Sequence, residues 1–410
     1  MSLIERAVVK EINKFIASPD IIVLHGARQV GKTCILKYVE NELITSGKRT
    51  FYIDLEDFRF VELLHSCPQI FIKYLEGKGM LNHEKLYVFI DEIQYLSNPS
   101  NFLKLMHDHY ADRIKLIVSG SSSFEIKSKF KDSLVGRTLN FEILPLSFQE
   151  FLIFKRSTIN LDVEIKNSVT IEELKHHYKE YITYGGYPRI TLEKNVANKE
   201  LYLQQVIDTY IRKDIRDLAS IKDILKFNKL LEILASQCGQ LLNVVELSNT
   251  ARLSRPTVEH YLFLLQNTYI IKLISPFSSN LRSELFKTPK IFFYDTGIAH
   301  LLWLKTFPKT IIGKMFETSI FAELMKHRKR AEIFYWRTQD KKEIDFIISR
   351  RGKTIPVEAK INQHAYSQTA IKYFLEKYHL DKGICVSLEI QSRRKGSVCF
   401  YYPWELIKIT

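Results

Sequence analysis

No apolar run in the chain reaches the ~18 residues that a membrane-spanning helix requires, so a helical membrane protein is not expected. The N-terminal stretch M-S-L-I-E-R-A-V-V-K carries an early acid and lacks the layout of a signal peptide; the cytoplasm is the expected location. Five cysteines (Cys34, Cys67, Cys238, Cys385, Cys399) are scattered with no C-x-x-C pair. Neither a disulfide framework nor a zinc site is expected from them; they read as small reduced residues in or near cores. Internal repeats and low-complexity linkers are also missing, which suggests domains that pack against one another.

What is present is 410 residues, 46% of them hydrophobic, enough for two to three domains with real cores. Lys and Arg exceed Asp and Glu by 14. Residues 1–150 are neutral and residues 291–410 carry +9. A basic half beside a neutral half points to a polyanionic partner, DNA first among nucleic acids, with a solvated basic surface as the plainer reading.

Gly26 to Thr33 reads G-A-R-Q-V-G-K-T, the full pattern of a phosphate-binding loop. Gly26 and Gly31 permit the tight turn that aims backbone N–H groups at phosphate oxygens, and Ala27, Arg28, Gln29 and Val30 span it. Lys32 brings a point charge to the β- and γ-phosphates of ATP, and Thr33 a hydroxyl to magnesium. Ile21 to Leu24 forms an apolar strand before the loop. Thr33 to Leu43 reads as a helix after it, so the phosphates meet a helix N-terminus. Further strands at Thr50–Leu55, Leu86–Ile90 and Lys115–Ser119 alternate with helices, which predicts an α/β fold with a parallel sheet covered on both faces. The strand Y-V-F-I-D-E ends in two acids: Asp91 to hold magnesium and Glu92 to act as general base on the attacking water. The strand before Ser119-Gly120-Ser121-Ser122-Ser123 places Ser119 or Ser121 where a polar group can touch the γ-phosphate; a Ser-rich turn capping the next helix explains the run equally well.

These motifs, together with L-V-G-R-T and L-P-L-S-F-Q-E-F (Leu144 to Phe151), resemble one AAA+-type ATPase family of archaea and bacteria. Its members pair an ATPase core with a C-terminal domain of unknown function that resembles a restriction-type nuclease. Y-G-G-Y-P (Tyr184 to Pro188), Y-I-R-K-D-I (Tyr210 to Ile215), Y-D-T-G-I (Tyr294 to Ile298) and Y-W-R-T (Tyr335 to Thr338) are also similar to that family. The resemblance implies that Arg137 is an arginine finger, acting in cis or on a neighbouring copy in a homo-oligomer. A surface ion pair is the alternative for Arg137.

The expected organisation is an ATPase domain over 1–150, a helical lid-like region over 151–235, a winged-helix-like module over 236–288 and a restriction-endonuclease-like α/β domain over 289–410. In the winged-helix module, Ser254 caps a second helix, and Arg252, Arg255 and His260 are candidate DNA contacts. Tyr261, Phe263, Leu264 and Leu265 nearly surround the later turns of that helix, which equally suggests burial or a protein interface. In the last domain, Glu317, Asp345, Glu358 and Lys360 match the nuclease pattern. A chain reversal at Arg351-Gly352 puts Asp345 opposite Glu358, and Glu358 and Lys360 share a face. Such a group suits magnesium and phosphodiester cleavage; the same register also puts Glu343 opposite Lys360, so simple cross-strand ion pairs are the competing reading. Three functions follow: an ATP-driven motor or switch on nucleic acid, an ATP-regulated nuclease, or a nucleotide-gated regulator that binds DNA or protein.

Overall fold

A computed structural model of the chain describes residues 3–81, 84–120, 134–214, 223–277, 288–327 and 331–408. It divides into two compact units, Met1–Leu144 with Asn267–Tyr269, and Pro145–Gln266 with Ile270–Thr410.

The first unit is built on a five-stranded sheet. Its strands are β1 (Ile21–Gly26), β2 (Arg49–Asp54), β3 (Leu86–Asp91), β4 (Ile114–Gly120) and β5 (Thr138–Ile143), in the order β2-β3-β4-β1-β5. All pairings are parallel. The β1 and β3 sequences are apolar at nearly every position because helices cover both faces, and β3 is buried throughout. Four of these strands lie where the apolar runs predict them. β5 (T-L-N-F-E-I) was not anticipated: it is an edge strand with mostly half-exposed residues, so its sequence is mixed.

One face of this sheet buries Val23, Ile53, Val88, Ile90 and Val118 with Phe71, Leu75, Leu103 and Met106 from the covering helices. Each such side chain contributes about 1.5–3 kcal/mol. Lys115, fully buried on β4, donates to the carbonyls of Phe15, Ser18 and Asp20, which ties the segment after the first helix to the sheet. Burial lowers its pKa to about 8.

The second unit opens with a capped helix, Phe148–Phe154. The Ser147 hydroxyl accepts from the Glu150 N–H and the Glu150 carboxylate accepts from the Ser147 N–H, a reciprocal capping box. Helices Ser168–Tyr184, Val196–Val206 and Ile224–Ser236 follow. Then come helices Val244–Ala251 and Arg255–Asn267 and an antiparallel pair, β6 (Ile271–Ile274) with β7 (Lys290–Phe293).

The C-terminal part runs helix Gly313–His327, β8 (Glu332–Arg337), β9 (Glu343–Arg350), β10 (Lys353–Ala359), helix Gln368–Tyr378 and β11 (Gly383–Val386). A last hairpin adds β12 (Arg394–Lys395) and β13 (Val398–Tyr401). The sheet order is β12-β13-β11-β10-β9-β8. β10 is antiparallel to β9 and parallel to β11, and the α-β-β-β-α-β element order matches the expectation. Trp336, Ile344, Ile347, Ile371, Phe374 and Phe400 form its core.

Candidate functional site

β1 delivers the chain to the phosphate-binding loop at the C-terminal edge of the parallel sheet. Gly26 has φ 159°, and a Cβ there would stand 2.0 Å from the Ile143 carbonyl oxygen, so only glycine fits beside β5. Gly31 has φ 97° and sits at the N-cap of helix Lys32–Thr45. Gln29 is left-handed at φ 61°. Ala27 and Val30 are buried, whereas Arg28 and Gln29 are exposed at the loop's tip. Thr33 stands half-buried in the first helical turn.

Lys32 is buried and folds back on the loop, its Nζ donating to the carbonyls of Ala27 at 2.8 Å and Gly26 at 3.1 Å. Burial lowers its pKa to about 8, with Glu92 and Asp91 pulling the other way. Arg6 supports the loop from behind, donating to the carbonyls of Val30 at 2.7 Å and Leu144 at 3.0 Å. Nothing in the sequence marks Arg6, since one arginine near an amphipathic N-terminal helix is unremarkable.

β3 ends at Asp91, which is buried, with one carboxylate oxygen accepting from the Ser119 hydroxyl and the other from the Tyr52 hydroxyl at 2.9 Å. The parallel register explains both contacts: β2 and β4 flank β3, and Asp54 and Asp91 are level. Ser119 therefore orients Asp91 in this structure. Tyr52 belongs to the same site but was missed, because a tyrosine within T-F-Y-I-D-L reads as strand packing. Burial and Asp91 together push its hydroxyl pKa far above the usual value.

Glu92 adopts the left-handed conformation at φ 57°. Its carboxylate accepts from the Gln94 side-chain amide, and its N–H faces Ser119 Oγ at 3.3 Å. Gln94 was also not singled out by the sequence. Ser121 lies outside the described residues.

Arg137 makes the ion pair that was the alternative reading of it. It immediately precedes β5, and its carbonyl accepts from the N–H of Ile21 at the start of β1. It therefore stands at the sheet edge opposite the phosphate loop, one six-residue strand away, about 20 Å. That distance sets it well away from the phosphate loop of its own chain. Its guanidinium instead pairs with Asp108 at 2.6 Å, which holds the Asp108 carboxyl down at about 2.

In the second unit three of the four nuclease-pattern residues, Asp345, Glu358 and Lys360, meet directly. Lys360 donates to Asp345 at 3.0 Å and pairs with Glu358 at 3.1 Å. Asp345 also accepts from the N–H of Ala359 at 2.9 Å. Glu317 comes from helix Gly313–His327 and faces Lys290 at 3.3 Å. Lys290, buried on β7, also pairs with Glu343 at 2.6 Å. The expected Glu343–Lys360 pair is thus not formed: Lys290 and Arg337 take Glu343, and Lys360 turns to Asp345 and Glu358.

Burial, reinforced by Asp345, raises Glu317 to about 8. Burial also raises Glu358 to about 7 against the pull of Lys360. Among the described residues no three His, Cys, Asp or Glu side chains are grouped to hold a metal ion. Two lysines lie between the carboxylates instead.

The helix Arg255–Asn267 also departs from the reading that apolar residues surround it. Tyr261, Leu264 and Leu265 are buried, but Phe263 is exposed at 52%. Arg252, Arg255 and His260 are exposed, and Arg255 pairs with Glu259 at 2.8 Å.

Two distant motifs meet in this unit. Asp295 of Y-D-T-G-I caps helix Thr296–Leu304 and accepts from the N–H of Gly186 in Y-G-G-Y-P at 2.8 Å. A Cβ on Gly185 would lie 2.1 Å from the Asp295 carboxylate. The Glu323 carboxylate likewise accepts from the Phe148 N–H at 3.1 Å and the Tyr181 hydroxyl at 2.5 Å. These motifs hold the unit together.

Residues 18–152 match the family model described as AAA domain. Residues 175–310 and 312–407 match two models described as domains of unknown function. An uncharacterized protein of Methanocaldococcus jannaschii is 29% identical over 82% of this chain and 73% of its own length. One of Haemophilus influenzae is 27% identical over 85% of this chain and 84% of its own. Among solved structures, AMPPCP-bound DnaA from Aquifex aeolicus is 19% identical over 63% of this chain and 86% of that one, at a TM-score of 0.29, too low to support any inference about this chain.

Proposed function

We propose that residues 18–152, an AAA-type P-loop ATPase domain by sequence match and by fold, hydrolyse ATP with magnesium and couple that cycle to a nucleic-acid partner. One observation carries the hydrolysis reading. A buried lysine at a helix N-terminus shares the sheet edge with an oriented aspartate and an adjacent glutamate.

The donors suit the cofactor. Gly31, Lys32 and their neighbours offer backbone N–H groups and one cation to phosphate oxygens. Asp91 and Thr33 would hold magnesium through oxygen ligands, and the metal would neutralise charge on the phosphates. Lys32 releases the loop carbonyls and turns to the β- and γ-phosphates. Glu92 leaves Gln94 and takes a proton from the attacking water. The water oxygen bonds to the γ-phosphorus as the bond from that phosphorus to the bridging oxygen breaks. Arg137 serves the nucleotide of a neighbouring copy, the option its position at the far sheet edge leaves open.

The nucleic-acid partner is supported by the +9 balance of residues 291–410. The test is turnover by wild type, Lys32→Ala and Glu92→Gln, with and without duplex DNA. Glu92→Gln turning over normally would rule out the general-base assignment.

A second reading, magnesium-dependent cleavage of a phosphodiester at Glu317, Asp345, Glu358 and Lys360, is favoured by their convergence. It requires the metal to displace Lys290 from the carboxylates. Incubating DNA with magnesium and comparing wild type with Asp345→Ala tests it; equal cleavage by both would mean a contaminant.

A further inference from the structure

The strand topology of the C-terminal domain gathers a second charged group at the end of the sheet away from the carboxylates. β9 and β10 are joined by the two-residue turn Arg351-Gly352, with Arg350 and Lys353 paired at its base. Arg351 and Gly352 are both left-handed, at φ 47° and 78°. β12 and β13 are joined by Gly396-Ser397, with Lys395 and Val398 paired at its base.

Both turns lie at the same end, because β10, β11 and β13 are mutually parallel and all begin there. β11 starts between them at Gly383, directly after Lys382. Three strand spacings separate the turns laterally, and the register offsets them by about three residues. At about 4.8 Å per strand and 3.3 Å per residue they stand about 15–20 Å apart.

Arg351, Lys353, Lys382, Arg394 and Lys395 are exposed, and none pairs with a carboxylate among the described residues. Asp381 and Glu332 are the acids on this rim. These five cations outnumber the two acids.

We propose that this rim binds the phosphate backbone of nucleic acid, held away from the carboxylate cluster. Unpaired cations on rigid two-residue turns, spread over 15–20 Å, match about five phosphates at about 3.4 Å of rise each along one strand. The carboxylates at the opposite end of β10 are matched by their own lysines and offer a phosphate little attraction. Contacts to phosphate carry no sequence information, so recognition by these cations is by backbone charge and is indifferent to sequence.

The inference rests on the nucleic-acid partner proposed above. The experiment is fluorescence anisotropy of a short labelled duplex with the full chain, titrated between about 50 and about 200 mM salt. Wild type is compared with Arg351→Glu/Lys353→Glu, with Lys395→Glu, and with Lys341→Glu, which alters an exposed lysine on the β8–β9 connection at the other end of the sheet. Each variant is first checked for wild-type ATP turnover and melting.

The double variant is expected to bind about tenfold or more weakly and to lose about two from the slope of log K against log salt; Lys395→Glu loses about one. Lys341→Glu is expected to change little. Equal binding by wild type and the double variant would overturn the location, as would an equal loss in Lys341→Glu. No binding by wild type at the lowest salt would instead overturn the nucleic-acid partner itself, while leaving the ATPase intact.

Discussion

Lys32 offers a quantitative check on the nucleotide site. Its ammonium is buried against the loop's backbone carbonyls, and burial lowers its pKa from 10.5 to about 8. Phosphate oxygens favour the charged form and raise the pKa again, so above pH 8 nucleotide binding must take up a proton. Below pH 8 the lysine is charged in both states and affinity does not depend on its titration. Above pH 8 the free protein must first be protonated, and affinity falls about tenfold per pH unit, about 1.4 kcal/mol, until the pKa of the bound state is reached. Between pH 7.5 and 9.5 a pKa of about 8 gives a loss of about 20- to 30-fold. Equilibrium titration with a non-hydrolysable ATP analogue in fixed magnesium measures it. Lys32→Arg keeps its charge throughout this range and is expected to bind more weakly with a flat profile. A flat profile for wild type would mean that Lys32 is not the group that titrates at this site.

Glu92→Gln is expected to bind nucleotide normally and lose about 10²- to 10⁴-fold in kcat, measured by coupled phosphate release. Tyr52→Phe leaves one oxygen of the buried Asp91 carboxylate without its donor; the magnesium concentration for half-maximal turnover is expected to shift by up to about tenfold, with about 1–3 kcal/mol lost in denaturant melts. Arg137→Ala is expected to leave melting nearly unchanged, because its ion pair with Asp108 is solvent-screened, yet to lower turnover; mixing it with Glu92→Gln chains restores activity if the finger acts between copies, and an unchanged mixture would count against that role. Gly185→Ala forces a Cβ into the Asp295 carboxylate at φ 81° and is expected to cost about 2–4 kcal/mol in denaturant melts.

Local chemistry was readable from the sequence wherever one short segment carries both the fold signal and the functional groups. Gly26 to Thr33 and the run ending at Asp91-Glu92 are of that kind, because an apolar strand followed by special residues leaves little choice of geometry. The D-x12-E-x-K spacing was likewise legible, since a two-residue turn fixes the register that sets Asp345 opposite Glu358. What stayed hidden depends on contacts between distant segments. Tyr52 and Ser119 meet Asp91 only because β2 and β4 flank β3. Lys290 reaches Glu317 and Glu343 from a strand far from either in sequence, and no periodicity announces it. Arg137 looked equally able to act within its chain or between chains until its place at the start of β5 set it at the far edge of the sheet. Phe263 was misjudged because four large side chains in five residues suggest a buried helix, whereas the helix turns one of them outward.

The central claim is that this chain hydrolyses ATP at the Lys32 loop. Steady-state phosphate release by wild type and Lys32→Ala, each with and without duplex DNA, tests it most directly. Magnesium-dependent turnover that Lys32→Ala abolishes and that DNA alters is the expected result. Turnover equal in both proteins, or none from wild type in any condition, would contradict it.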